Sequence, residues 1–162
     1  CQQSNPTFRC RDCFGLALYC KACIIDHHCN EPLHFLEEWK NGFFQKTTFQ
    51  CLGLHVQLGH EHGISCPFQT LGHKDFVVLH VNGIHALNVN FCGCDGALMA
   101  YGQLLEVGWW PSTPLELKLA ASMAVLQLFH TLNLQGQIAP TNFYQGLEQL
   151  TCSDGLSHVP VS

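Results

Sequence analysis

Cysteine and histidine recur along the first 34 residues at the spacing of metal donors. Two Cys-x2-Cys pairs, Cys10-Arg-Asp-Cys13 and Cys20-Lys-Ala-Cys23, are followed by His28 and His34. Thiolates two residues apart can face one ion from a single tight turn, and imidazoles further along complete a tetrahedral shell. In a cross-brace, Cys10 and Cys13 share one zinc with His28 and His34. Cys20 and Cys23 then share a second zinc with Cys1 and a ligand upstream of it. The simpler alternative is one zinc held by Cys10, Cys13, Cys20 and Cys23, with the histidines on the surface. The His-x5-His spacing after the last pair favours the two-site version. His27 can replace His28, and Cys29 is close enough to compete.

A second donor group is more widely spread: His60 and Cys66 in a Gly-rich stretch, then Cys92 and Cys94 at the exit of an expected hairpin. Such a site would staple a loop to a sheet. Equally, His60 reads as a solvated loop residue and the cysteines as small buried apolar groups. His62 and His73 are alternative ligands. Together the groups imply two or three zinc ions.

Catalytic metal signatures are absent. Four residues beyond His60 stands Ile64, so His60-Glu-His62 is not a His-Glu-x-x-His helix. No His-x-Glu is paired with a Pro-Cys-x-x-Cys run. Shells filled by Cys and His leave no position for a reacting water. The segment is therefore expected not to be an enzyme.

These donors need elements to carry them. Residues 47–59 alternate, with Phe49, Cys51, Leu52, Leu54, Val56 and Leu58 suggesting a strand. Phe76-Val-Val-Leu-His-Val81 and Ile84-His-Ala-Leu-Asn-Val-Asn-Phe91 flank Asn82-Gly83, which suits a type I′ turn and predicts a β-hairpin over 76–91. In that register Val81 faces Ile84 and His80 faces His85. Val78, His80, His85, Leu87, Val89 and Phe91 share a face. The two histidines read as hydrogen-bonded sheet residues rather than a catalytic pair. Beyond Trp109-Trp110 the period becomes helical. Ser112 is expected to cap a helix through Leu115, Leu119, Met123, Leu126, Phe129 and Leu132 that ends at Gly136. Pro140 opens a second, with Phe143, Tyr144, Leu147 and Leu150. Cys51 and Cys152 read as buried thiols.

The expected fold is α+β: an N-terminal cross-brace zinc module over 1–40, closed by the turn signal Asn41-Gly42, then an α+β domain over 41–162. That domain holds a small antiparallel sheet and a C-terminal helical pair. In so small a module the metal supplies most of the folding free energy.

The bulk numbers restrict the partners. Charged residues are 12% of the chain, against about 25% in an average soluble domain. Arg9, Arg11, Lys21, Lys40 and Lys46 balance five acidic residues within 1–46, and all of the net charge of -5 lies beyond them. No basic stripe for a phosphate backbone is visible. The cysteine count of 11 is odd and the histidine count equals it, which favours zinc in a reducing compartment over disulfides. No apolar run is long enough to span a bilayer. A start at Cys1 reads as a segment of a larger protein.

Several pieces of the chain, taken in order, resemble the CxC-type cysteine cluster found beside KDZ (Kyakuja–Dileera–Zisupton) transposases, chiefly fungal. They begin with Arg9-Cys-Arg-Asp-Cys-Phe-Gly15, Cys20-x2-Cys23 and His28-x3-Pro32-Leu-His34. Next come Trp39, Asn41-Gly-Phe-Phe44, Leu52-Gly-Leu54, Gln57-Leu-Gly-His60, Cys66-Pro67 and Val81-Asn-Gly-Ile-His85. Phe91-Cys-Gly-Cys94, Gln103-Leu-Leu105, Trp109-Trp-Pro-Ser-Thr113 and Phe143-Tyr144 complete the series. The resemblance runs from Arg9 to Thr151. It implies a zinc-binding segment, B-box-like in its first part, lying N-terminal to an RNase H-like transposase core that is not in this chain. It also supports His60, Cys66, Cys92 and Cys94 as ligands.

The implied function is that of a non-catalytic accessory domain in DNA transposition. Its partners would be the remainder of the transposase polypeptide or its subunits, with DNA ends as a further candidate and no membrane. The setting would be intracellular, in the nucleus. Low charge and an exposed-looking Trp109-Trp110 step favour a protein-facing role. The rival is a B-box-like protein-interaction module of a ubiquitin-ligase-type protein, although RING spacing is absent.

Overall fold

Short strands and helices succeed one another along the chain in a mixed α+β arrangement, described by a computed structural model for residues 5–61 and 64–152. The order is β1 (Phe8–Cys10), α1 (Lys21–His27), β2 (Leu36–Lys40), β3 (Phe43–Thr47), α2 (Phe49–Leu52), β4 (His55–Gln57) and β5 (Gln69–Leu71). Then follow β6 (Phe76–His80), β7 (Gly83–Cys92), α3 (Ala100–Glu106), β8 (Trp109–Pro111), β9 (Leu119–Ser122), α4 (Met123–Gly136) and α5 (Pro140–Thr151).

The first sheet is antiparallel, in the order β1-β2-β3. Asn41 and Gly42 take φ of 54° and 87° and join β2 to β3, with Lys40 opposite Phe43. Left-handed backbone at both positions is what an Asn-Gly hairpin turn supplies. The sheet therefore runs on to Thr47, and its core extends further. Phe8, Cys10, Ile24 and Leu36 pack with Phe49, Leu52 and Leu54. Full burial of each large apolar side chain contributes roughly 1.5–3 kcal/mol.

Residues 49–52 are not the expected strand. Thr48 caps α2, its hydroxyl accepting from the Cys51 N–H at 3.1 Å. The apolar positions Phe49 and Leu52 are three apart, so one helical turn buries both. Cys51 points out and is exposed, and Cys152 is partly exposed; neither is a buried thiol.

The larger sheet runs β4-β7-β6-β9-β8, with β5 also on β7. The expected hairpin is β6–β7, antiparallel, but two pairings in this sheet are parallel: β4 with β7 and β6 with β9. The hairpin register differs from expectation by two residues. His80 faces Gly83, Leu79 faces Ile84 and Val78 faces His85. Neither Val81 nor Asn82 has positive φ. Asn82 is instead a tertiary anchor: its amide donates to the Leu33 carbonyl at 2.9 Å, and its Oδ1 lies 2.8 Å from His85 Nε2. A shift of two preserves the side-chain alternation. Phe76, Val78, Leu87, Val89 and Phe91 accordingly form one core with Leu58, Leu104, Trp109 and Ala120. The opposite face, through Val77 and Ile84, packs on Val125 of α4 and Leu147 of α5.

The two C-terminal helices form, but the first begins at Met123 rather than after Ser112. Leu119–Ser122 are a strand between β6 and β8, with Ala120 fully buried. Ser122 is the helix cap, accepting from the Val125 N–H at 3.2 Å. Leu119 and Met123 keep helical spacing by sequence, yet sheet pairing claims the first of them. Trp109 is buried and only Trp110 is exposed, so the pair is not an exposed step.

Candidate metal centres

Among the described residues, two groups of Cys and His have donor atoms mutually within 4.8 Å. They are Cys10, Cys13, His28, His34 and His60, Cys66, Cys92, Cys94.

The first group is assembled from a strand end, a bend and the end of a helix. Cys10 closes β1 and is buried. The chain then bends, and the Cys13 N–H points at Cys10 Sγ at 3.3 Å. Asp12 fixes this bend by accepting from the Phe35 N–H at 2.5 Å, while the Arg11 N–H donates to the Phe35 carbonyl at 2.9 Å. His34 is thereby held beside the two thiols, its Nδ1 3.5 Å from each Sγ. His28 follows α1 and is buried; its Nδ1 lies 2.9 Å from the Ile24 carbonyl, so that nitrogen carries the proton. Nε2 is left as the donor atom and stands 3.2 Å from Cys13 Sγ. A backbone carbonyl on the remote ring nitrogen is the usual way of orienting a metal-binding imidazole. His34 has the Glu31 carboxylate 3.6 Å from its own remote nitrogen.

The second group joins a loop to a strand end. Cys92 ends β7 and its Sγ lies 3.2 Å from His60 Nε2 and 3.7 Å from Cys66 Sγ. Cys94 Sγ is 3.6 Å from Cys66 Sγ and 3.7 Å from His60 Nε2. Between the two cysteines stands Gly93, whose N–H donates to the Phe68 carbonyl at 2.9 Å. A Cβ on Gly93 would fall 2.5 Å from that oxygen, so Cys-Gly-Cys is the sequence that lets the loop approach. Gln103, 1% exposed, holds Cys92 from the other side. Its Oε1 accepts from the Cys92 N–H at 2.8 Å, and its Nε2 donates to the carbonyls of Cys92 and Leu98 at 2.9 and 2.8 Å.

Both geometries fit a tetracoordinate ion. Bonds of about 2.3 Å to sulfur and about 2.0 Å to nitrogen imply tetrahedral edges near 3.8 Å for S···S and near 3.5 Å for S···N. The separations above span 3.2–3.7 Å. Electrostatics at the second group point the same way. Burial pushes the Cys66 thiol up, but backbone N–H groups of Gly93 and Phe68 and the neighbouring thiols outweigh it and bring it down to about 6. Cys94 is pushed up to about 12 by the thiols of Cys92 and Cys66 and by burial. Three thiolates in one shell repel, and a cation is what allows all of them to ionise. None of the ten described cysteines is in a disulfide.

Other expected donors lie elsewhere. Cys20 caps the start of α1 with Cys23 one turn on, and their thiols are hydrogen-bonded to each other. Neither joins Cys10 and Cys13, so four cysteines do not share one ion. Cys20 and Cys23 belong to no group of three or more donors among the described residues. Cys1 and His62 lie outside the described residues. His27 stacks its ring against Tyr19 at 5.1 Å, and Cys29 is exposed with Sγ 3.7 Å from Asn30 Oδ1. His73 accepts from the Asp75 N–H. His80 and His85 are sheet residues with ring centroids 6.4 Å apart. His80 Nδ1 is 2.8 Å from the Ser122 hydroxyl.

The supporting residues Gln103, Asn82, Asp12 and Ile24 carry no motif of their own. Gln103, Asn82 and Asp12 stand in segments that carry the resemblance, the Gln-Leu-Leu, Val-Asn-Gly-Ile-His and Arg-Cys-Arg-Asp-Cys runs, whereas Ile24 stands in none.

Among the described residues no helix is long and apolar enough to cross a membrane. Residues 49–155 match the family described as a CxC2 like cysteine cluster associated with KDZ transposases. No curated protein and no solved structure matches the chain. The matched span holds the whole second group, while the first, at 10–34, precedes it. With more than half of its length matched, the chain belongs to the CxC2-like cysteine cluster family associated with KDZ transposases.

Proposed function

We propose that this chain is a non-catalytic, zinc-binding accessory domain of a KDZ-type transposase, which docks the catalytic core or another subunit. One observation carries the reading: each metal group offers four protein donors, two Cys with two His and three Cys with one His. A shell filled by protein holds structure and leaves no position for a reacting water. Soft thiolate with imidazole, at these edge lengths, selects zinc among the common intracellular cations. The first ion ties β1 to the end of α1; the second ties the 60–66 loop to the end of β7. A cross-brace would need a further ion at Cys20 and Cys23, and their position at one helical turn supplies two of its donors.

A protein partner is favoured over DNA by where the basic residues sit. Arg9 pairs with Glu37 at 2.6 Å and lies over the Phe44 ring, and Arg11 approaches the same carboxylate at 3.8 Å. Lys40 pairs with Glu38, and Lys46 donates to the Thr151 carbonyl. These cations serve the fold and leave little for a phosphate backbone. A role beside a DNA-transposing core belongs in the nucleus.

The test has two arms. Metal analysis of the purified chain should give at least two zinc ions; none after gentle purification overturns the zinc reading. The zinc-loaded chain should retain the rest of its transposase in a pull-down and lose it on chelation. Capture of transposon-end DNA instead, with an affinity that falls steeply with salt, would overturn the protein-docking reading.

A further inference from the structure

Between the two metal groups lies a cleft of about 590 Å³. His34 of the first group and His60 of the second both line it. Its accessible apolar lining includes Ile64 and Val107, and Glu31 and Glu106 stand beside them. A shallower recess continues past His60 and Glu106 to Glu61. No lysine or arginine lines either space.

The charge of this mouth is uncompensated. Glu31 has the His34 imidazole as its neighbour, while Glu61 and Glu106 make no ion pair among the described residues. A dication with three thiolates leaves a further negative charge at the second group, whereas two thiolates neutralise the first. Carboxylates around a cleft that no basic residue lines repel phosphate and concentrate cations. An occupant with a long apolar stem and a head rich in N–H donors matches all of these features. That is arginine, whose stem packs on aromatic and aliphatic surface and whose fixed fork of donors suits carboxylates. A volume of this size exceeds one side chain and is ordinary for a ligand-binding hollow.

We propose that the cleft between the metal groups receives an arginine side chain from a peptide segment of a partner protein, its stem on Ile64 and Val107 and its guanidinium among Glu31, Glu61 and Glu106. This rests on the docking reading above and names the chemistry that the dock recognises. It also makes recognition depend on both ions, since each fixes one histidine of the wall.

The test is titration of the zinc-loaded chain with a capped pentapeptide carrying a central arginine, followed by calorimetry and by amide chemical shifts. The same peptide with citrulline, which keeps the shape and removes the charge, is the control. Saturable binding is expected, with shifts around Ile64, Glu106 and Val107. The citrulline peptide should bind at least about tenfold weaker, and Glu106→Gln should weaken the arginine peptide by about the same factor, the cost of about 1.4 kcal/mol. Glu148→Gln, on α5, should change nothing. Metal content is measured for every sample. A chain with both ions that ignores the arginine peptide up to about 10 mM overturns the inference and leaves the zinc reading standing. So does equal affinity for citrulline, or indifference to Glu106→Gln. A chain without ions overturns the zinc reading instead.

Discussion

Gln103 holds both backbone groups of Cys92 with one side chain: Oε1 accepts the N–H at 2.8 Å and Nε2 donates to the carbonyl at 2.9 Å. The glutamine is buried, so the pairing is made away from water. It takes the place of a strand neighbour where β7 leaves the sheet, and it sets the direction in which the Cys92 thiol points. Replacing it by Leu keeps the apolar bulk but leaves buried backbone groups unpaired, at about 1–3 kcal/mol each. Gln103→Leu is expected to lower stability by about 2–4 kcal/mol in chemical denaturation. Metal affinity at the second group should fall about 10–100-fold, as for other residues that orient a ligand. Competition with a chelator should show one ion leaving early while the first group keeps its own.

The two groups differ in composition, and cobalt can count the difference. Cobalt(II) substituted for zinc gives charge-transfer absorption that grows with the number of thiolates. Cys13→Ala should remove the contribution of a two-thiolate site, and Cys66→Ala that of a three-thiolate site, so the spectra lost should differ in strength by about 2:3. Equal losses, or a single variant that abolishes both sites, would contradict independent groups of Cys10, Cys13, His28, His34 and His60, Cys66, Cys92, Cys94.

His85 makes stability depend on acid. Burial, then the neighbouring His80, depress its imidazole to about 3, with Asp12 opposing weakly. The folded chain keeps this ring neutral, with Nε2 paired to Asn82 Oδ1. The unfolded chain protonates it near the ordinary value of about 6.5. Above that pH neither state takes up the proton, and His85 adds no pH dependence. Below it only the unfolded state gains a proton, so stability falls as pH drops towards about 3, by up to about 1.4 kcal/mol per unit. Release of metal from thiolates also destabilises the fold in acid, but it is common to wild type and a His85→Gln variant. The difference between their stability curves should therefore be flat above pH 6.5 and slope in the variant's favour below it. Parallel curves across pH 5–8 would refute the assignment.

The first metal group was legible because thiol and imidazole spacing is a covalent property of the chain; the second, spread from His60 to Cys94, was even on spacing and gained support only from the resemblance. Cys10, Cys13, His28 and His34 meet, as the first half of the expected arrangement requires, while Cys20 and Cys23 join no third donor among the described residues. Spacing left open whether Cys20 and Cys23 would join Cys10 and Cys13, since two donors one turn apart define a direction and nothing beyond it. The 76–91 hairpin was legible from its alternation, and its faces survive because a slip of two residues preserves parity. Its register was not legible: Asn82 looks like a turn residue, but its amide is committed to Leu33 and His85, contacts 49 and 3 residues away. The stretch before α4 failed for a similar reason. Leu119 and Met123 fit a helix by period, yet strand pairing with Val77 fixes Leu119 in the sheet. Local pattern cannot report the empty edge of a strand elsewhere in the chain. Asn-Gly turn chemistry itself was sound, and it operates at Asn41-Gly42.

Gly93 supplies the sharpest test of how the second group is built. The residue between Cys92 and Cys94 contributes no donor, and its side chain would lie against the Phe68 carbonyl, 2.5 Å from the position of a Cβ. That oxygen cannot retreat freely, because it accepts the Gly93 N–H and follows closely on Cys66. A methyl group at this position must push the 66–68 segment away from the strand end, carrying Cys66 Sγ from its 3.6–3.7 Å contacts with the other two thiols. Gly93→Ala should thus cost more than the few tenths of a kcal/mol typical of an exposed glycine, roughly 1–3 kcal/mol, as for overpacking in a core. Its signature is selective. One equivalent of metal should be lost or bound at least about tenfold more weakly, as when a ligand is misoriented, while the first group is unaffected. Gly96→Ala serves as control, since a Cβ there meets nothing within 4 Å although φ is +81°. It should show a backbone penalty of about 1 kcal/mol without loss of metal. If both variants keep two ions with unchanged affinity, the approach of the 66–68 segment is not what positions Cys66.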